Sequence, residues 1–122
     1  GVHESLRRVA LRAAEISPVP FAVTEGLRSP ERQASLREAG ASRTEKSRHL
    51  TGHAIDIVPL VDGQPCWKWP AFTPVARAFK TAAHELGVAI VWGGDWRRFR
   101  DGPHIELNRR TYPAQEHRQD DH

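Results

Sequence analysis

The chain has 122 residues, 39% hydrophobic and 27% charged, with 18 Lys and Arg against 15 Asp and Glu for a formal charge of +3. That length suits one domain with one core, and the composition excludes a disordered or collagen-like chain. No apolar run approaches the roughly 20 residues that cross a bilayer, no signal peptide is recognisable at Gly1, and the lone Cys66 rules out an internal disulfide or a cysteine-based zinc site. A soluble protein is therefore expected. The positive charge favours anionic partners, but Arg and Lys are scattered rather than clustered, so on charge alone a cell-wall polymer fits as well as a nucleic acid.

Val2, Leu6, Val9, Ala10, Ala13 and Ile16 recur at steps of three and four, which predicts an amphipathic helix ended by Pro18 and Pro20. "FAVTEGLR" then reads as a short strand, with Phe21, Val23 and Thr24 favouring extension. "SPERQASLREAG" carries an N-cap at Ser29, Pro30 at the first helical position and a stop at Gly40, predicting a second helix. This puts Arg28 at a strand end, just before a helix. The segment "ASRTEKSRHLTG" has neither helical nor alternating periodicity and reads as a surface loop that delivers His49.

"HAIDIVPL" predicts a strand ending at Pro59, followed by a turn-rich connection in which Asp62-Gly63 makes a tight reversal. A helix is expected from about Thr73 to Leu86, with Val75, Phe79, Ala82, Ala83 and Leu86 on one face and Gly87 at its end. "VAIVW" predicts an apolar strand, "GGDWRRFRDG" a turn-bearing loop, and "PHIEL" a last strand at a sheet edge, where Pro103 is tolerated. The polar segment "TYPAQEHRQDDH" has little to bury. The sum is an α+β fold, organised as a domain over residues 1–110 and a polar tail over 111–122.

The segment "SRHLTGHAIDIVPL" places His49, His53 and Asp56 around a buried strand. Strand alternation puts Ala54, Asp56 and Val58 on one face and His53, Ile55 and Ile57 on the other, so His53 and Asp56 point apart. A helical reading would pair His49 with His53, but Gly52 and the Ile-rich continuation oppose helix. His49 with Asp56 is the better pair, and His104, a second histidine abutting a strand, is a natural third ligand for a metal. Spacing alone does not decide between ligands and ordinary hydrogen-bonded histidines.

Two motifs together change this. "SRHLTGHAID" resembles the Ser-x-His-x-x-Gly-x-Ala-x-Asp signature of the zinc D-alanyl-D-alanine carboxypeptidases and dipeptidases, and "DGPHIEL" resembles their second motif. More closely, "EGLRSPERQ", "SRHLTGHAIDIVPL" and "WGGDWRRFRDGPHIEL" follow the order found in the L-alanyl-D-glutamate endopeptidases of phage endolysins and bacterial wall hydrolases. The likeness runs from about Val2 to Leu107. It implies a Hedgehog/D-Ala-D-Ala-peptidase-like fold, a short antiparallel sheet packed by helices, and one zinc ion held by His49, Asp56 and His104.

The same resemblance implies Asp101 as the catalytic acid and base, and Arg28 as the residue that positions substrate or stabilises the oxyanion. Amide hydrolysis needs these parts: zinc to lower the pKa of water from 15.7 to about 7, a carboxylate to carry protons, and a cation for the developing charge. Glu106, on the same strand face as His104, is a rival base. Ser47 is expected to steady a ligand or its loop, Gly52 to turn the chain tightly between His49 and Asp56, and Gln33, His53 and Trp92 to support the site or touch substrate; Trp92 and Trp96 otherwise read as core or loop anchors. The implied partner of this expected monomer is the peptidoglycan stem peptide, without nucleic acid or membrane insertion. The same machinery would serve a D,D-carboxypeptidase or dipeptidase, and a different class of reading is an inactive wall-binding module that keeps zinc as a structural element.

Overall fold

The computed structural model describes residues 2–25, 48–98 and 100–113. The first helix, α1, spans Glu4–Ile16. Its N-cap is His3, whose Nδ1 accepts from the Ser5 amide at 3.1 Å, and the helix stops one residue before Ser17, ahead of the two prolines. Leu6, Val9 and Ala13 of the predicted face are fully buried.

Five antiparallel strands follow: β1 (Phe21–Glu25), β2 (Ala54–Val61), β3 (Gln64–Pro65), β4 (Ile90–Trp92) and β5 (His104–Leu107). Their order is β1-β2-β5-β4, with β3 paired to the far end of β2. Asp62 and Gly63 link β2 to β3 with φ of 54° and 77°, the two positive values that a two-residue type I′ reversal needs. The second described helix, α2, spans Trp69–Leu86 and ends on Gly87 at φ 69°. It packs on α1 and lies against β2 and β4, and residues of both helices share one core with the sheet. The core between them joins Leu6, Val9, Phe72, Val75 and Phe79 to Ile55, Ile57, Ile105 and Leu107. No described helix is long and apolar enough to cross a membrane.

At Pro59, Pro70 and Pro103 the structure departs from the sequence expectation. Strand β2 runs through Pro59 to Val61. Ile57 donates its amide to Pro103 just before β5, so by alternation the missing N–H of Pro59 faces a side where β5 pairing has ended, and the ladder to β1 is undisturbed. Helix α2 begins at Trp69 rather than Thr73, because Pro70 sits in a first turn whose amides need no intrahelical partner; Pro74 lies inside the helix and does not end it. Finally, β5 is an interior strand between β2 and β4, not an edge strand. Pro103 precedes the strand, leaving the amides of His104–Leu107 free to pair. The predicted helix after Ser29 lies outside the described residues, as do residues 114–122 of the polar tail.

Candidate metal centre

Asp56 and His104 face one another directly across β2 and β5, so their side chains rise from the same sheet face, the one opposite the helices. Strand β1 is irregular between Val23 and Glu25, next to Asp56, and the Thr24 hydroxyl donates to the Asp56 carbonyl at 3.4 Å. The third residue, His49, comes from the 3-10 turn Arg48–Thr51. Gly52, at φ 76°, then reverses the chain into β2, a conformation that costs a residue with a Cβ more than glycine. The Gly52 carbonyl accepts the His3 amide at 2.8 Å, which ties this turn to the start of α1.

These elements bring His49 Nε2 to 3.2 Å and His104 Nδ1 to 3.6 Å from Asp56 Oδ1. All three ligand atoms lie within 4.8 Å of one another. Donors around a tetrahedral ion with bonds of about 2.0–2.1 Å stand roughly 3.3–3.5 Å apart, so two imidazoles and a carboxylate at these separations fit such an ion in chemistry and in size. His49 is buried, its ring edge-on to that of His104 at 5.4 Å, while Asp56 is partly open to solvent.

The protonation pattern follows from the same contacts. Burial alone would raise the Asp56 carboxyl, but the hydrogen bonds from His104 and His49 outweigh it and hold the group well below the usual carboxylate range. Burial opposes charging of His104, yet its bonds to Asp56 and Glu106 raise it to about 9. A metal ion held by His104 would therefore have to compete with a proton for its ring.

Glu106 stands two residues along β5 on the same face, and its Oε1 is 2.8 Å from His104 Nε2. That bond occupies Nε2 with Glu106 and leaves Nδ1 as the ring nitrogen that faces Asp56. Burial would raise the Glu106 carboxyl, but His104 and Arg109 lower it. His53 lies outside this set: its Nδ1 is 2.7 Å from the Thr51 hydroxyl, and its ring packs 5.2 Å from that of His3.

Asp101 starts the turn into β5. Its amide donates to the Gly93 carbonyl and its carbonyl accepts from the His104 amide, at 3.1 and 3.2 Å. Gly93 packs so closely on this turn that a Cβ there would stand 2.4 Å from the Asp101 carbonyl oxygen and 3.0 Å from His104 Cβ. Gly93→Ala should accordingly cost about 1–3 kcal/mol through displacement of the turn, read as a lowered urea midpoint at unchanged slope; an unchanged midpoint would show that the turn yields freely.

Trp92 lies on the helix-covered face, near Trp69, with Nε1 donating to the Gly102 carbonyl at 2.7 Å. It thus touches the Asp101–His104 turn from behind. Trp96 is the aromatic beside the metal-site side chains, its ring 4.9 Å from that of His104. Sequence reasoning also passed over Arg48, buried next to His49; its only signal was a basic residue abutting a ligand. Arg28, Gln33 and Ser47 lie outside the described residues.

Comparison with known proteins adds to this geometry. Residues 1–116 match the family model described as phage L-alanyl-D-glutamate peptidase. The L-alanyl-D-glutamate peptidase of Escherichia phage T5 is 38% identical, over 91% of this chain and 83% of its own length. The enzyme of the same name from Listeria phage A118 is 35% identical over 86% of this chain, which spans only 36% of it. Among solved structures, the Serratia marcescens L-Ala D-Glu endopeptidase ChiX superposes with a TM-score of 0.89 at 48% identity, covering 93% of this chain and 86% of that one. The vancomycin-resistance D,D-dipeptidase VanXYg shares the fold, with a TM-score of 0.56 at 16% identity over 98% of this chain and 55% of that one.

Proposed function

The chain belongs to the phage L-alanyl-D-glutamate peptidase family, and from that premise we propose that it is a zinc-dependent endopeptidase cleaving the L-Ala-D-Glu bond of the peptidoglycan stem peptide. The observation that carries the proposal is the convergence of His49 Nε2, Asp56 Oδ1 and His104 Nδ1 on one point of the sheet face. When bound there, zinc supplies Lewis acidity, lowering the pKa of water from 15.7 toward 7 and polarising the scissile carbonyl. Three protein donors among the described residues suit a catalytic site, whereas a closed structural site takes four. This argues against an inert wall-binding module.

The remaining roles fall to the chain's own side chains. Asp101 takes a proton from the attacking water and returns one to the leaving amine. Arg28 stabilises the charge that develops on the carbonyl oxygen. Glu106 orients His104; Ser47 steadies the loop that carries His49; Gln33 and His53 support the site or contact the stem peptide, and Trp92 supports the Asp101–His104 turn from the helix-covered face. Residues 1–110 form the catalytic unit and 111–122 a polar tail. The enzyme works as a monomer on the cell wall, in the periplasm or outside the cell; in a phage it would be made in the host cytoplasm and released at lysis.

Digestion of purified peptidoglycan tests the reading. Mass spectrometry should find a new D-Glu or D-isoGln amino terminus on the products. Release of terminal D-Ala instead would make the protein a D,D-carboxypeptidase or dipeptidase, and intact peptidoglycan at saturating zinc would sink the enzymatic reading.

A further inference from the structure

We propose that Arg48 is a positioning residue of the metal centre, holding Glu106, and through it the His104 ring, in register with His49. The inference rests on reading the site as a zinc centre. Arg48 is only 5% exposed, a costly place for a guanidinium unless its donors are engaged. Its Nη2 donates to the carbonyls of Leu107 and Tyr112 at 2.9 and 2.8 Å, and its Nε lies 3.8 Å from Glu106 Oε2. Its own carbonyl accepts from the His53 amide and the Thr51 hydroxyl, at 3.0 and 3.1 Å, closing the turn that carries His49. One residue thus fixes the backbone around one histidine of the site and sets a buried charge beside the carboxylate that orients another.

Arg109 also reaches Glu106, its Nε donating to Oε2 at 3.0 Å, but its side chain is 69% exposed and its charge is screened. The Arg48 charge meets Glu106 away from water, where the same separation counts for more. A lysine there keeps the charge but not the planar fork that reaches two carbonyls and a carboxylate together.

The test measures zinc affinity of the full chain by competition with a chromogenic chelator, for wild type, Arg48→Lys, Arg48→Gln, Glu106→Gln and the double variants. Thermal unfolding of each metal-free protein is followed in parallel, and Arg48→Lys carries the test where Arg48→Gln does not fold. Each single substitution should weaken zinc binding by about 10- to 100-fold. Because Arg48 acts through Glu106, each double variant should match Glu106→Gln within about twofold. Losses that multiply, or wild-type affinity in the Arg48 variants, would overturn the inference. A wild-type chain that binds no zinc would overturn the zinc reading itself, and this inference with it.

Discussion

His49→Ala and His104→Ala should each emerge folded but without zinc, and cleavage of peptidoglycan should fall to background. Three donors within 4.8 Å leave no spare ligand among the described residues, so removing one histidine leaves an imidazole and a carboxylate for an ion that takes at least three protein ligands. The partly buried Asp56 carboxylate would also lose one of the two histidines that hold it ionised. Chelation of the wild-type protein should have the same effect, reversed by added zinc. His53→Ala is the matched control for metal content, because its ring packs on His3 and bonds to Thr51 rather than meeting Asp56. Elemental analysis showing full, tight zinc occupancy in either ligand variant, or zinc loss in His53→Ala, would overturn the ligand assignment.

What the sequence disclosed about this site follows from what is local. Alternation along β2 separates His53 from Asp56 whatever surrounds the strand, and Gly52 marks the reversal that returns His49 toward it. The spacing in α1 likewise identifies the buried Leu6, Val9 and Ala13. Misreadings arose where a local preference met a tertiary exception. Pro59 argues for a strand end, but only its hydrogen-bonding neighbour determines whether the missing N–H matters, and the same holds for Pro103 and the interior position of β5. Arg48 and Trp96 fall inside the quoted segments, but no periodicity marked their roles, because their place beside the site depends on how β5 and the Gly93–Asp95 turn meet the Arg48–Thr51 turn in space.

Asp101→Ala should keep its zinc and its fold while turnover at saturating zinc falls by about 10²- to 10⁴-fold, the usual contribution of a general acid and base. The fold should persist because the backbone makes the turn: the Asp101 amide bonds to Gly93 and its carbonyl receives the His104 amide, and alanine retains both. The rival carboxylate is committed elsewhere. Glu106 already accepts His104 Nε2 on one oxygen and Arg109 on the other, with Arg48 alongside, and it meets His104 through the nitrogen turned away from Asp56. Taking a proton from an attacking water would require it to leave His104 and Arg109. Glu106→Ala should therefore act mainly on the metal, weakening zinc affinity by about 10- to 100-fold, with turnover largely recovered once zinc is saturating. Measuring zinc content and initial rate on the same samples separates lost metal from lost proton transfer. A zinc-loaded, inactive Glu106→Ala beside an Asp101→Ala of near wild-type activity would transfer the proton-carrying role to Glu106.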